Sequence, residues 1–372
     1  MNPETQELTP RLESLRPQRE MRELPKAEVS PNLDLLRAIA VLSVFVSHLL
    51  SALGISEIGS LGRFGVVIFF VHTSFVLMAS LQRIEARGAG KWRMIEAFWL
   101  RRVFRIYPLA MFFVVLAAVC RIPANPGMTY NWIGLKAFLS NLALVENLTY
   151  TPDVLGPLWS LPLEVQMYVI LPFAYLIVRR HSRLRYAAIW FLSVVLALTL
   201  PRLTSRFGVF ICAPCFASGI VAFGFIRTRA IGARRLHYWV WPVGILLAIA
   251  LFGPLDNISL RDKIYRAWIL SLGLGLLYAN VDEAPFSPMQ RIFHWIAEHS
   301  YGIYLSHIVL IWFVLYPMAS APVWVRTLVL VVTMIAAPAL LYRFIEHPLI
   351  GLGNRLSTRL FNRPRPREGI FA

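Results

Sequence analysis

The sequence predicts an all-α fold, a polytopic bundle of about ten transmembrane helices with both termini cytoplasmic. Three observations predict it. First, 57% of the 372 residues are hydrophobic and only 15% are charged, with mean hydropathy +0.60. A water-soluble chain of this length needs more charge to cover its surface. Second, apolar runs near twenty residues recur from Leu33 to Phe344, each about long enough to cross a ~30 Å hydrocarbon core. Third, Lys and Arg gather in alternate loops between those runs. The alternating strand pattern of a membrane barrel is absent.

In chain order, residues 1–31 are polar, Pro-containing and charge-mixed, and lack the pattern of a cleaved signal peptide. They are expected to form a disordered cytoplasmic tail. The expected spans are 33–53, 63–82, 103–121, 157–178, 186–200, 207–226, 238–254, 264–280, 300–317 and 324–344. A further apolar segment, "WIGLKAFLSNLALV" at 132–145, is too short to cross. With the N-terminus inside, loops 83–105, 179–185 and 227–235 and the end of the chain carry more than twice as many Lys and Arg as the opposite side. The weak inside loop is 281–298, where Asp282, Glu283 and Glu298 face only Arg291. Residues 32–348 form the expected membrane domain, and 349–372 a basic, Pro-interrupted cytoplasmic tail.

The net charge of +17 does not imply nucleic acid, because the basic residues lie in short loops and form no single stripe. Cys120, Cys212 and Cys215 lie in or beside apolar spans and read as small packing residues. No nucleophile elbow and no metal-ligand cluster is present. His294 and His299, five apart, fall on different helix faces, so no metal is expected.

Arg37 and His48 in "NLDLLRAIAVLSVFVSHLLSALG" carry the main functional signal. Eleven residues make about three turns, so both fall on one face, roughly 16 Å apart. Taken singly, Arg37 also fits a side chain reaching the headgroups, and His48 a packed, hydrogen-bonded ring. Together, costly ionisable groups on one face point to a lined cavity. Glu164, in "GPLWSLPLEVQMYVILP", lies at similar depth to His48, and a carboxylate there would orient the imidazole. His72 and His307 read as helix–helix hydrogen-bonding groups, and Glu346 as the partner of a neighbouring arginine. Arg102 and Arg105, one turn apart in "FWLRRVFRIYPLA", share a face, and Arg101 adds a third cation. Guanidinium forks suit phosphate.

Several of these stretches resemble the acyltransferase-3 family of integral membrane acyltransferases. The blocks are "LDLLRAIAVLSVFVSH", "FGVVIFFVHTSFVLM", "RRVFRIYPL", "LWSLPLEVQMYVILP", "SYGIYLSHIVL" and "RFIEHP", in family order from residue 32 to about 348. The resemblance implies ten membrane helices in the cell inner membrane. It also implies transfer of an acyl group, often acetyl, from cytosolic acyl-CoA to a hydroxyl of an envelope or exported glycan. Carried across, His48 is the catalytic histidine, Glu164 its candidate partner, and Arg37, Arg102 and Arg105 the acyl-CoA-binding groups. Thr73 and Ser74 stand where the family pattern has Ser-Gly, which bears on how closely this helix approaches its neighbour. No hydrolase-like domain follows the last span, so the membrane domain is expected to complete transfer alone or with a partner. The rival reading is a transporter or flippase, with the polar groups lining a solute path. It is disfavoured because the chain has no repeated halves and no matched pair of broken helices.

Overall fold

The computed structural model describes residues 30–55, 59–88, 90–180, 182–203, 209–230, 232–252 and 260–361. The expected disordered tail lies outside the described residues except for its last two, as does the end of the chain beyond 361. Helices and the loops between them make up the described residues, with no strand beyond an isolated bridge between Leu236 and Val281.

The helices are α1 (Pro31–Ala52), α2 (Gly59–Glu85), α3 (Lys91–Val119), the short α4 (Leu135–Ala143) and α5 (Glu146–Thr149), and α6 (Leu161–Val178) behind a 3-10 turn at Gly156–Ser160. Next come α7 (Arg183–Leu203), α8 (Val209–Thr228), α9 (Val240–Phe252), α10 (Leu260–Asn280), α11 (Pro288–Leu315) and α12 (Val323–Leu341). A π-helical turn at Tyr342–Glu346 leads into α13 (His347–Phe361). Seven helical segments among the described residues are long and apolar enough to cross a membrane: α1, α2, α3, α6 with its 3-10 turn, α7, α8 and the continuous stretch Val323–Leu360 that runs through α12, the π turn and α13. The expected spans 238–254, 264–280 and 300–317 fall on α9, α10 and α11. Of these, α9 has only 13 described residues, α10 opens on charged residues, and α11 carries a polar face.

Large apolar side chains point outward where lipid would lie. Leu328, Val331, Val332 and Ile335 of α12 are exposed, as are Phe191, Leu192 and Val195 of α7. In water such bands would be a liability; against acyl chains they are at home. Inside, α1 packs on α2 and α11, and α8 lies between α2, α7 and α10.

The N-terminus of α1 is held from several directions. Ser30 caps it, accepting from Leu33 N at 3.3 Å and donating to the Glu283 carboxylate at 2.8 Å. Trp241 Nε1 donates to Asn32 O at 2.9 Å, and Asp34 meets His294 Nδ1 at 2.8 Å. Ser30 and Pro31, counted with the tail in the sequence, are therefore the cap and first turn of the first helix. The acids that made loop 281–298 weak in positive charge have a structural use: Glu283 anchors α1, and Asp282 lies 3.9 Å from Arg235.

Two elements differ from expectation. The cationic stretch before the third span is helix from Lys91, because Met94, Ile95, Ala97 and Phe98 give it a buried face. Residues 349–361 are helix, packed against α3. Arg101 Nε donates to the buried Ser357 Oγ at 2.7 Å, and Gly353 lies so close to Phe104 that a Cβ there would be 2.7 Å from its Cβ.

The connection from α3 to α6 folds over one end of the bundle. α4 spans only nine residues, about 13 Å, and does not cross. Asn141 ties the connection down, donating to Pro152 O and accepting from Val154 N, both at 2.9 Å. Next to it, Glu146 is 2% exposed and neither carboxylate oxygen has a hydrogen-bond partner. Burial, reinforced by Asp153, pushes its carboxyl up to about 8. The folded chain thus keeps a proton that the unfolded chain, with a carboxyl near 4.5, releases. The stability this gives is full below the unfolded value and is lost as pH rises through the folded one. Glu146→Gln is expected to unfold ~2–5 °C higher than the wild type above about pH 8. The two should converge near pH 4.5. Tryptophan-fluorescence melts across that range check it.

Candidate active site

Helix α1 carries Arg37 and His48 toward the bundle interior because small residues let α2 close on it between them. A Cβ on Gly65 would lie 2.4 Å from Ala40 O, and one on Gly62 2.8 Å from Ser47 Oγ. Glycine at these contacts brings the backbones together, the usual device where lipid gives no hydrophobic drive. Arg37 and His48 then open into two different chambers.

The first chamber, of about 640 Å³, is lined by Arg37, Arg83, Arg87, Arg101, Arg102 and Arg105, against the carboxylates of Asp34, Glu164 and Glu298. Its lining is therefore net cationic. The Nε atoms of Arg37 and Arg102 are buried and have no hydrogen-bond partner. Arg105 is drawn to Glu346, 3.7 Å away. Glu164 Oε1 accepts from Tyr168 OH at 2.5 Å and from Thr73 Oγ1 at 3.5 Å, and the carboxylate interacts electrostatically with Arg37, Arg102 and Arg105. His72, also in this lining, is 7% exposed. Ile350 and Asn354 of α13 complete one side, so the helix beyond the last span helps build the chamber.

The second chamber, of about 540 Å³, holds His48. Its walls are largely apolar and aromatic, with Trp159 from the 3-10 turn and Trp268 from α10. Val66, Phe70 and Tyr304 belong to both linings and stand between the chambers.

His48 lies at the end of a hydrogen-bond chain. His307 Nδ1 sits 2.6 Å from Tyr304 O, and His307 Nε2 sits 3.2 Å from His48 Nδ1. Tyr304 OH in turn donates to Pro157 O and accepts from Ser160 Oγ, each at 2.7 Å. The protons follow from the partners. A carbonyl only accepts, so His307 Nδ1 carries hydrogen and its Nε2 accepts. His48 Nδ1 therefore donates, and Val44 O, 3.1 Å from the same atom, requires the same tautomer. The unshared pair of His48 is thereby assigned to Nε2.

The family description "Acyltransferase domain" matches residues 30–343, most of the chain. The chain belongs to the acyltransferase-3 family. It is 26% identical over 359 residues to the peptidoglycan O-acetyltransferase OatA of Listeria monocytogenes, covering 86% of this chain and 55% of that protein. It is 27% identical over 381 residues to the putative peptidoglycan O-acetyltransferase YrhL of Bacillus subtilis, covering 89% and 56%. The acyltransferase MdmB of Streptomyces mycarofaciens matches at 29% over 202 residues, 49% of each chain. The chain thus spans about half the length of these curated relatives. No solved structure matches.

On this acyltransferase-3 scaffold the structure brings Arg37, Arg102 and Arg105 to one chamber, with Glu164 beside them. The expected pairing of Glu164 with His48 does not form. Equal depth fixes position along the bundle axis but not rotation about it. Glu164 bonds to Tyr168 and Thr73 in the arginine chamber, and Val66, Phe70 and Tyr304 stand between that chamber and the one lined by His48. The residue that meets the imidazole is His307, which the sequence offered as a helix–helix hydrogen-bonding group without naming its partner. Its signal was the "YLSH" spacing, which sets Tyr304 and His307 one turn apart on the inward face of α11. His294 and His299 are absorbed elsewhere, by Asp34 and by Trp295 O at 2.8 Å. Ring-¹⁵N histidine NMR of the protein in nanodiscs should show hydrogen on Nδ1 of both His48 and His307. Hydrogen on Nε2 alone of His48 would reject the network.

Proposed function

We propose that this chain is a ten-span O-acyltransferase of the cell inner membrane, with both termini cytoplasmic. In this reading it moves an acyl group, acetyl in the first instance, from cytosolic acyl-CoA to a hydroxyl of an envelope glycan. Membership of the family and the names of the relatives support the acyl chemistry; the chamber arrangement supports the order of binding. The carrying observation is the tautomer of His48: a proton-accepting Nε2 assigned by two independent hydrogen-bond partners, beside a partition from a net-cationic chamber.

The arginines act first. Arg37 and Arg102, each with a buried unpartnered Nε, and Arg105 hold the phosphates of acyl-CoA. The thioester arm then runs along α1 toward His48, roughly 16 Å further, a span an extended pantetheine arm covers. His48 Nε2 takes the proton of the acceptor hydroxyl as that oxygen attacks the thioester carbonyl. The C–S bond breaks, the acyl group stays on the acceptor oxygen, and the imidazolium returns its proton to the departing thiolate. His307 orients the ring throughout. Glu164 sits with the arginines, where its charge and its bond to Tyr168 fix the cationic chamber rather than the base.

The test is acetyl transfer by nanodisc-reconstituted protein with labelled acetyl-CoA. His48→Ala should lose ~10²–10⁴-fold in kcat, the usual yield of a positioned general base. His307→Gln should lose about 10-fold in kcat with the KM for acetyl-CoA unchanged. Arg102→Ala should instead raise that KM about 10-fold. Unchanged transfer by His48→Ala removes the imidazole from the reaction.

A further inference from the structure

The histidine chamber differs in charge from what a neutral sugar would need. Of its described lining residues, Arg63 and Lys263 are charged and none is acidic. Arg63 is exposed and adjoins Gly62, which packs against Ser47, the residue before His48. Lys263 faces it from the first turns of α10. The same lining carries two tryptophans. Trp159 is 40% exposed, while Trp268 is held by its Nε1–H bond to Ile211 O at 2.8 Å. A volume of about 540 Å³ suits one or two sugar rings.

Resting on the acyltransferase reading above, we propose that the acceptor is an anionic sugar. Its ring lies on the tryptophan faces, its carboxylate or phosphate is held by Arg63 and Lys263, and a ring hydroxyl reaches His48 Nε2. The chamber's low polarity strengthens each such charge contact relative to water. A guanidinium from α2 and an ammonium from α10 would also constrain the orientation of the ring, and so which hydroxyl meets the imidazole. The acceptor's negative charge is the recognition element here, as the donor's phosphates are in the arginine chamber.

The experiment pairs acceptors that keep their hydroxyls and differ in charge. Labelled acetyl transfer is measured in phosphatidylcholine nanodiscs, so no anionic headgroup competes. Methyl α-glucoside is compared with α-glucose 1-phosphate, and N-acetylglucosamine with N-acetylmuramic acid. The anionic member of at least one pair should be favoured about 10-fold in kcat/KM. The favoured pair then tells phosphate from carboxylate. Arg63→Ala and Lys263→Ala should each bring that ratio toward one, and Lys263→Arg should retain it. In parallel, quenching of tryptophan fluorescence by the favoured sugar should weaken with salt and in Arg63→Ala. Equal use of neutral and anionic acceptors overturns this inference and leaves acyl transfer standing. Labelled acetyl reaching no acceptor overturns the functional reading, while quenching lost in Arg63→Ala still supports an anion site in this chamber.

Discussion

An ionisable side chain inside a hydrocarbon layer survives only where it faces protein or water. Helix α1 puts two such groups about three turns apart on one face, and much of the bundle follows from turning that face inward. The outer face of α1 keeps Leu42 and Val46 for lipid. The inner face must be covered, so α2 and α11 close on it. It must also stay open at Arg37 and His48: α2 closes on it through Gly65 at Ala40 and Gly62 at Ser47, and a chamber is left at each of the two. The anchoring of α1 through Ser30, Asn32 and Asp34 fixes its height and rotation, and with them the placement of both groups.

Much of this was legible in the sequence, and the limits are physical. Apolar length reads out depth, so the helices and the short non-crossing α4 stand close to where the sequence puts them. Spacing along one helix reads out a shared face, so Arg102 and Arg105 were identifiable as neighbours in one chamber, whereas Arg37 and His48, expected at one cavity, line two. Rotation of one helix against another is not encoded in either signal. That is why Glu164 was expected beside His48 and why the partner of the His307 hydrogen bond could not be named. The amphipathic helix α13 was hidden for a different reason. Its arginines and its place after the last apolar run resemble a solvated tail, and the fit of Gly353 to Phe104 and of Ser357 to Arg101 shows a docked segment.

The departure from the family pattern at Thr73 and Ser74 shows how a contact can be preserved from the other side. Ser74 replaces the glycine that would let α2 approach its neighbour, but α8 offers Gly219 at that place. A Cβ on Gly219 would lie 2.0 Å from Ser74 Oγ and 2.2 Å from Val71 O. Ser74 satisfies its hydroxyl on Phe70 O at 2.9 Å, within its own helix, so no polar group is stranded at the contact. Thr73, turned the other way, reaches Glu164. Ser74 thus sits at a close contact of α2 with α8, and Thr73 adds a polar contact to the arginine chamber.

The partition between the chambers carries the remaining logic. In the proposed reaction a thioester reaches a basic imidazole, and water reaching both would waste the donor. Val66, Phe70 and Tyr304 line both the cationic space and the aromatic one and stand between them, two apolar side chains and a tyrosine. Phe70 is stacked on Phe216 of α8, with ring centroids 4.3 Å apart, and Tyr304 is held at its hydroxyl by Ser160 and Pro157. The same Tyr304 supplies the carbonyl that fixes His307, and through it His48. One residue therefore joins the partition to the histidine pair: Tyr304 gives its ring to the partition and its backbone carbonyl to the placement of His307.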